Sequence, residues 1–359
     1  MPRKLSYADA GVDRRLRAES KKALRFLRKT YLMSHYGEVV QLPYGNIFPL
    51  GRNRFLDLQI EGVGTKVLIA QLAGKYDTIG IDGVAMAVND VIRSGAKPLA
   101  VADNIHAQLS DPVLVKEWIK GLAKGAVEAG CIVPSGEIGD VPDLIKGLVE
   151  GKGFDFVVAA VGEVSEKRLI SGRNIKADDI VIGMQSSGVH SNGISLARRV
   201  LFQQWGGKYE PHCVLDDIGR ELVLEVLEPT RIYVKPLLAI AAECAIKGAV
   251  HITGDAYLKF ERLSRFSKNV GFEFNNFNPQ PIFKLIQKTA SEIKRKIADE
   301  EMFKTFNMGW GFALVAGKAE KDKIIDILAK FGVHAEQIGN VKAAKGIKVL
   351  YQGKKIILK

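Results

Sequence analysis

One stretch, residues 55–90, constrains the fold of this chain more than any other because it joins a strand pattern, a glycine turn and an apolar helix. Residues 55–60, FLDLQI, alternate apolar and polar side chains as a half-buried strand does. The following EGVGTK has the glycines, hydroxyl and lysine that suit phosphate oxygens, because glycine lets the backbone approach a ligand closely. It lacks the Walker A pattern, so the stretch predicts either an anion-binding turn or a tight connection without a ligand.

Residues 81–92 have the apolar spacing of a helix with one buried face. Asp82 lies at the start of this helix, and Asn89 and Asp90 lie near its end. Because eight helical residues rise about 12 Å, the two carboxylates are not expected to chelate one small ion together. Asp82 is either a ligand or an N-terminal cap. Asp90 has no such structural explanation, because it is a carboxylate beside the amide of Asn89 on an otherwise apolar helix.

Composition narrows the class of protein. A chain of 359 residues is long enough for two domains, each with its own core. The formal net charge of +12 favours anionic ligands, and the scattered basic residues disfavour nucleic acid. The three cysteines are far apart, which predicts neither a disulfide framework nor a zinc site and fits a reducing compartment. Without an apolar signal region or a run of about eighteen apolar residues, we expect a cytoplasmic protein with no membrane partner.

Strand and helix patterns alternate along the chain, which predicts an α/β protein. Predicted helices cover 112–129, 194–201 and about 320–331, and predicted strands cover 98–105, 154–164 and 178–185. Residues 31–54 are predicted to be a loop because glycine and proline recur in them. We place the domain boundary near residue 170, which gives an N-terminal domain of residues 1–170 and a C-terminal domain of residues 171–359.

Three further segments carry side chains suited to chemistry. Glu137 lies between glycines in a predicted loop, 134–142, where it is either a turn residue or a ligand. The segment SSGVHSNG, 186–193, precedes a predicted helix, so its backbone amides form an anion site unless they only start the helix. His251, in the predicted strand AVHITG, is either a packed strand residue or a catalyst.

Together these segments resemble the AIR synthetase family, the phosphoribosylformylglycinamidine cyclo-ligases. The residues that carry the resemblance are SYADAGVD (6–13), GVGTK (62–66), DTIGIDGVAMAVND (77–90), SSGVHSNGISLARRV (186–200), HITG (251–254) and TFNMGWG (305–311). The resemblance implies an α/β fold of the α+β type with two domains. It further implies a homodimer in which the mixed sheets of the N-terminal domains pair.

Members of this family close an imidazole ring. ATP phosphorylates the amide oxygen of formylglycinamidine ribonucleotide, the neighbouring amidine nitrogen attacks, and phosphate leaves to give aminoimidazole ribonucleotide and ADP. The resemblance therefore implies ATP and Mg²⁺ as cofactors and this ribonucleotide as the small-molecule substrate.

The resemblance also assigns roles to individual residues. The implied catalytic residues are His190, His251, Asp90 and Lys66. The implied ATP-binding residues are Gly62, Gly64, Thr65, Lys66, Asp82, Asn89 and Gly136. The implied substrate-binding residues are Ser187, Gly188, Ser191, Asn192, Thr253 and Asn307. The implied metal ligands are Glu61, Asp82, Asp90 and Glu137.

Two departures from the family pattern support a second hypothesis. Glu61 stands where the family has aspartate, which moves the carboxylate by roughly 1 Å, and magnesium geometry is strict. Asp255 and Ala256 replace two glycines, which removes backbone freedom and adds a carboxylate. The alternative is a diverged paralogue that binds nucleotide or phosphorylated ligand without closing the ring.

Overall fold

The computed structural model describes residues 3–267 and 269–359. Its strands are β1 (Arg3–Lys4), β2 (Val40–Leu42), β3 (Gly45–Gly51), β4 (Arg54–Gly62), β5 (Lys97–Ala107), β6 (Ile132–Asp140), β7 (Phe154–Ser165), β8 (Ile180–Gln185), β9 (Ile246–His251), β10 (Gly271–Phe274), β11 (Arg295–Lys296), β12 (Trp310–Ala316), β13 (Ala335–Lys342), β14 (Ile347–Tyr351) and β15 (Lys354–Leu358).

Its α-helices are α1 (Arg14–Ser20), α2 (Lys66–Ala73), α3 (Ile79–Ile92), α4 (Pro112–Ala129), α5 (Ile194–Leu201), α6 (Leu222–Leu227), α7 (Val234–Glu243), α8 (Phe260–Phe266), α9 (Pro281–Glu292), α10 (Asp299–Thr305) and α11 (Lys321–Lys330). A 3₁₀ helix of 13 residues covers Lys21–Met33, and short ones cover Glu166–Arg168, Gln203–Trp205, Ala256–Lys259 and Lys318–Glu320. No helix in these two stretches of chain combines the length and apolar character needed to cross a membrane.

The N-terminal domain is built on a six-stranded mixed sheet with the order β2-β3-β4-β7-β5-β6. Strand β7 alternates buried and half-buried residues along its whole length, so one face of the sheet forms the core. Helix α3 packs on that face and also contacts α4 and α7, so every one of its residues is buried. Because α3 lies in the middle of the molecule, its polar side chains must find partners inside the protein.

The C-terminal domain contains a seven-stranded mixed sheet with the order β15-β14-β10-β13-β8-β12-β9. Strand β12 is buried throughout, as its continuous apolar sequence requires. Strand β9 lies at the edge beside β12 and ends at His251. A small parallel pair, β1 with β11, attaches the N-terminus of the chain to this domain. These two sheets with their helices confirm the predicted two-domain mixed fold, whereas the boundary near residue 170 stays a prediction.

Helices α4 and α5 have the predicted bounds, and α4 begins as expected from its cap because the Asp111 side chain accepts from Val113 N. Helix α3 begins two residues before its predicted start, at Ile79 with Thr78 as its N-cap, so the capping explanation for Asp82 is wrong. Asp82 is instead a fully buried residue inside the helix.

Two predicted loops are wrong. The first, residues 31–54, contains β2 and β3, which form an antiparallel ladder with β4. The second, residues 134–142, belongs mostly to β6, which pairs in parallel with β5. Glu137 therefore lies on an exposed edge strand. In both cases pairing with a distant strand outweighs the local turn-forming residues.

Candidate active site

A cleft of about 740 Å³ brings together three segments that the sequence singled out separately. Its walls come from residues 7–21, the glycine turn 62–65 and residues 191–195 at the start of α5. Thr65 Oγ1 lies 3.0 Å from Ser195 Oγ, which joins the glycine turn to the C-terminal domain. The cleft therefore lies between the two domains and is closed on one side by the N-terminal segment.

The glycine turn is open towards a ligand. Gly64 has a φ of +65°, which glycine adopts without strain, and a side-chain carbon there would meet nothing within 4 Å. Gly62 and Thr65 also line the cleft. Three of the residues predicted to bind ATP are thus placed where a ligand can reach them.

Lys66 follows this turn and is completely buried. Its Nζ lies 2.9 Å from each carboxylate oxygen of Asp82 and donates to Glu228 O at 2.6 Å. Burial lowers the pKa of Lys66, and the Asp82 carboxylate opposes that shift. Asp82 Oδ1 also accepts from Ser191 Oγ at 3.0 Å and from Thr230 N at 2.8 Å. The ion pair therefore connects the first domain to two segments of the second.

Asn89 extends this connection along α3. Its Nδ2 donates to Arg231 O at 2.8 Å, and its Oδ1 accepts from Tyr233 N at 2.9 Å. Segment 228–233 is therefore held at its backbone by Lys66, Asp82 and Asn89. These three predicted ATP ligands fix the domain interface in this structure, and their contact with ATP stays a prediction.

Asp90 and His251 form a buried pair between α3 and β9. His251 Nδ1 lies 2.8 Å from Asp90 Oδ1, and Arg93 Nη2 lies 2.7 Å from Asp90 Oδ2. Burial opposes ionisation of Asp90, but Arg93, the hydrogen bond from His251 and Lys259 outweigh it and hold the pKa of this carboxyl well below its usual range. The carboxylate is thus ionised and accepts a hydrogen bond from Nδ1–H of His251.

Burial lowers the pKa of His251 to about 4, although Asp90 opposes the shift. The imidazole is therefore neutral near pH 7, and its proton is on Nδ1 because the Asp90 carboxylate can only accept. Nε2 of His251 is buried and has no hydrogen-bond partner among the described residues. This nitrogen has an unused lone pair, and the ring is fully buried and does not line the cleft.

His190 has the opposite arrangement. Its Nε2 accepts from Ser187 N at 3.1 Å, which puts the proton of a neutral ring on Nδ1. Burial, followed by the nearby bases His251, Lys66 and Arg231, holds the pKa of His190 well below its usual range. Nδ1 has no partner within the described chain. The site thus contains one neutral histidine with a free donor and another with a free acceptor.

The remaining predicted substrate residues divide into two groups. Ser191 and Asn192 line the cleft. Asn307 instead donates to Gly188 O at 2.9 Å, and Ser187 Oγ donates to Pro229 O at 2.5 Å, so both side chains hold segment 186–193 in place. Thr253 Oγ1 accepts from Lys259 Nζ, and Gly188 contributes its carbonyl to Asn307.

Gly136 has a packing role in β6. A side-chain carbon at this position would lie 2.3 Å from Asp103 Oδ1. The glycine therefore makes room for the Asp103 carboxylate on the neighbouring strand. Its predicted contact with ATP stays a prediction.

The predicted metal ligands do not form one cluster in this chain. No three histidine, cysteine, aspartate or glutamate side chains within residues 3–267 and 269–359 could hold a metal ion together. The Glu61 carboxyl does lie within hydrogen-bonding reach of Asp90, and burial together with Asp90 raises its pKa to about 7. Mg²⁺ commonly uses one or two carboxylates completed by phosphate oxygens and water, so Glu61 and Asp90 fit such an ion. Metal binding by Asp82 and Glu137 stays a prediction.

Sequence reasoning missed several residues at this site. Arg93 pairs with Asp90, and Lys259 Nζ donates to His251 O at 3.1 Å. Burial, opposed by Asp90, lowers the pKa of Lys259 to about 8. Thr230 and Arg231 belong to the polar segment EPTRI, which stands out between apolar helices and was a usable signal. Lys259 gave no signal, because YLKFERL has the pattern of an ordinary amphipathic helix.

Comparison with known proteins identifies the family to which this chain belongs. Residues 45–164 match the domain described as "AIR synthase related protein, N-terminal domain", and residues 176–352 match the corresponding C-terminal domain. The chain belongs to the AIR synthase family. It is 38% identical to the phosphoribosylformylglycinamidine cyclo-ligase of Pyrococcus furiosus over 98% of this chain and 100% of that protein. The enzyme of the same name from Carboxydothermus hydrogenoformans is 41% identical over 79% of this chain and 80% of its own.

Solved structures of this family's fold are more distant in sequence. "T. maritima PurL complexed with ATP" superposes with a TM-score of 0.57 at 16% identity, over 86% of this chain and 44% of that chain. HypE from E. coli, a hydrogenase maturation protein, gives a TM-score of 0.60 at 14% identity, over 85% of each chain. These likenesses establish the fold alone.

Proposed function

We propose that this protein catalyses the ATP-dependent closure of formylglycinamidine ribonucleotide to aminoimidazole ribonucleotide, ADP and phosphate. The near-complete alignment with proteins named phosphoribosylformylglycinamidine cyclo-ligase supports this reaction. It gives no support to a paralogue that only binds ligands. The structural observation that carries the proposal is the pair of neighbouring neutral histidines, His190 and His251, with the buried cation of Lys66 near His190.

The first half of the reaction transfers the γ-phosphoryl group of ATP to the amide oxygen of the substrate. Phosphoryl transfer requires positioning and cations more than covalent help from protein. We assign Lys66 to the phosphate charge and the Nδ1–H of His190 to the oxygen that becomes phosphorylated. Mg²⁺, when bound, neutralises phosphate charge, and Glu61 and Asp90 are the carboxylates that would hold it.

The second half of the reaction closes the ring. The amidine nitrogen forms a bond to the former amide carbon, the carbon–oxygen bond breaks, and phosphate leaves with the bonding electrons. The attacking nitrogen must lose a proton, and Nε2 of His251 is the free acceptor in the site. Asp90 holds the proton of Nδ1 and stabilises the imidazolium that forms.

We assign the cleft to ATP and to part of the substrate. Gly62, Gly64 and Thr65 line it from the first domain, and Ser191 and Asn192 line it from the second. Related folds have been solved with nucleotides, as the titles "T. maritima PurL complexed with ATP" and "T. maritima PurL complexed with ADP" state. An open glycine turn facing polar groups of a second domain suits a phosphate chain that reaches from nucleotide to substrate.

The reaction can be tested directly with purified protein, formylglycinamidine ribonucleotide, ATP and Mg²⁺. We expect ADP and aminoimidazole ribonucleotide to form in equal amounts, and ADP release to depend on the ribonucleotide. ADP and the imidazole product are measured in the same samples, with omission of the ribonucleotide as the control. Binding of both ligands without either product would favour the non-catalytic paralogue.

We also propose that the protein is a homodimer that pairs through the outer face of the six-stranded sheet. Leu58 and Ile60 on β4 are 58% and 68% exposed on this face, and they lie opposite Val161 and Ala159 of β7. An exposed sheet face normally carries polar residues, so an apolar one favours a covering partner. The apolar row is continuous across paired strands, as a sheet-to-sheet contact needs.

A lysine at position 60 tests this contact. We expect Ile60→Lys to convert the dimer into a monomer, because the charge would be buried without a partner at the interface. Ile357→Lys is the control, since Ile357 is 50% exposed on β15 of the other sheet. Molar mass is measured by light scattering during gel filtration. A dimer that persists in Ile60→Lys would exclude this face as the interface.

A further inference from the structure

The N-terminal segment, residues 5–21, forms one wall of the cleft but is attached to the C-terminal domain. Leu5 N donates to Lys296 O at 2.9 Å, and Arg199 Nη1 donates to Asp9 O at 2.6 Å. Tyr7 N donates to Glu301 Oε1 at 3.0 Å. The position of this wall relative to the glycine turn is therefore set by contacts outside the cleft.

Arg14 makes the most polar contacts of this segment. Its Nη1 donates to Glu301 Oε1 at 3.0 Å, and its Nη2 donates to Lys304 O and Thr305 Oγ1, each at 2.8 Å. Its Nε lies 3.4 Å from Asp255 Oδ1, an ion pair without hydrogen-bond geometry, and Nε has no hydrogen-bond partner in the described part of the chain. A planar guanidinium held on two sides has a fixed orientation, and Arg14 begins helix α1, whose next turns line the cleft.

Asp255 has an unusual backbone. Its φ is +69° and that of Ala256 is +38°, so two consecutive residues adopt the left-handed region that favours glycine. This strained pair follows His251 by four residues, at the start of a 3₁₀ helix. A strained aspartate whose carboxylate contacts Arg14 indicates that the side chain has a use that glycine could not serve.

We propose that Asp255, together with Glu301, is a positioning residue that fixes Arg14 and thereby sets the N-terminal wall of the ATP cleft. This inference rests on the proposed function for the identity of the ligand. Asp255 acts through Arg14 and does not touch the reacting groups. We call Arg14, Asp255 and Glu301 the clamp. The clamp governs how tightly ATP is held and leaves the chemical step unchanged.

The expected change in the KM for ATP follows from how exposed the Arg14 and Asp255 side chains are. The Arg14 and Asp255 side chains are 23% and 25% exposed, so their pairing is only partly screened by water. We expect Asp255→Asn to raise the KM for ATP about threefold and Arg14→Met to raise it about tenfold, with kcat changed less than about twofold in each. Because both substitutions break one clamp, the double variant should equal Arg14→Met alone.

A second readout does not depend on catalysis. Helix α1 contains Arg15 and Arg17, which trypsin cleaves once the segment detaches. We expect Asp255→Asn and Asp255→Gly to increase the cleavage rate in this segment about threefold, although glycine relieves the strained backbone. Asp178→Asn is the matched control: Asp178 also has a positive φ, of 70°, and its carboxylate lies 3.9 Å from Lys318 on the surface.

The outcomes separate the two proposals. Unchanged cleavage and KM in Asp255→Asn, effects that multiply in the double variant, or a loss of kcat at constant KM would each overturn the clamp. Wild-type behaviour of Asp255→Gly would mean that the backbone and not the carboxylate matters, which also overturns it. Faster cleavage in a protein without cyclo-ligase activity would support the clamp and reject the proposed function.

Discussion

Lys66→Met will lower kcat/KM by about a thousandfold or more, because the substitution removes the buried cation assigned to the phosphate charge. Lys66 is completely buried and its ammonium group is held by both oxygens of Asp82 and by Glu228 O. A cation fixed in this way needs no reorganisation when negative charge moves during phosphoryl transfer. Methionine has a similar length and keeps the packing but carries no charge. Steady-state kinetics with both substrates measures the loss.

The same substitution leaves the Asp82 carboxylate buried without its cation, which is expected to cost about 3–5 kcal/mol of unfolding free energy. The variant Lys66→Met combined with Asp82→Asn removes both charges and keeps the hydrogen-bonding shape of the site. We expect this double variant to recover stability in a denaturant titration while it remains inactive. Lys75→Met is the control, since Lys75 is an exposed lysine paired with Asp77 just after the same helix. A folded double variant with wild-type kinetics would remove Lys66 from the mechanism.

The parts of the fold that could be predicted from sequence are those whose signals are local. Helix α4 has an aspartate cap, a proline at its first position and a glycine in the left-handed conformation after its last residue, so its bounds follow from its own residues. The apolar spacing predicts helix α3, and Asp90 beside Asn89 stands out because an apolar helix offers its carboxylate no local partner. Asp82 does not stand out in this way, because its position suits an N-terminal cap.

The missed strands lack such signals. Strand β6, with the sequence IVPSGEIGD, is exposed over most of its length and has no apolar alternation. It is a strand because β5 offers a free edge beside it. Strand β3 contains glycine and proline and is held by its ladder with β4. These elements depend on contacts that exist only after the sheet has formed.

The same distinction applies to the site. The sequence motifs single out Lys66, Asp90 and His251 one at a time, but they do not predict which residues these side chains contact. Asp90 and His251 are 161 residues apart in the chain, and Lys66 and Glu228 are 162 apart. Residue periodicity reports on neighbours within a helix or strand, so contacts over such separations become visible only in the folded molecule. For Asn89, the contact found is with the backbone of the other domain.

Asp90→Asn will lower kcat by about a thousandfold, because the amide no longer fixes the proton of His251 on Nδ1. An asparagine can donate to Nδ1, which would put the proton on Nε2 and turn the free acceptor into a donor. Asp90 also raises the pKa of His251 against the effect of burial, so its loss lowers that pKa further below about 4. The ring therefore stays neutral, and raising the pH does not restore activity.

The pH dependence of stability has a definite sign at this pair. The pKa of His251 is about 4 in the fold against about 6.5 when unfolded, so the neutral ring stabilises the fold above pH 6.5 and that contribution is lost as the pH falls towards 4. The lowered pKa of Asp90 acts in the same direction at still lower pH. Asp90→Asn removes the second contribution but extends the first below pH 4, because it lowers the pKa of His251 further. The cleaner variant is His251→Ala, which removes the first contribution, so its melting temperature should depend less on pH between about 4 and 6.5 than that of the wild type.

Two comparisons decide whether Asp90 acts through His251 or as a metal ligand. If Asp90 mainly holds Mg²⁺, raising the Mg²⁺ concentration should restore much of the activity of Asp90→Asn, because added ion compensates for weaker binding. If it orients His251, excess Mg²⁺ has no effect. In that case His251→Ala should be as inactive as the variant that combines Asp90→Asn with His251→Ala. Asp77→Asn is the control, since Asp77 is an exposed carboxylate paired with Lys75. Asp90 contacts both His251 and Glu61. The activity of Asp90→Asn must therefore change with neither the Mg²⁺ concentration nor the pH to show that Asp90 acts through His251.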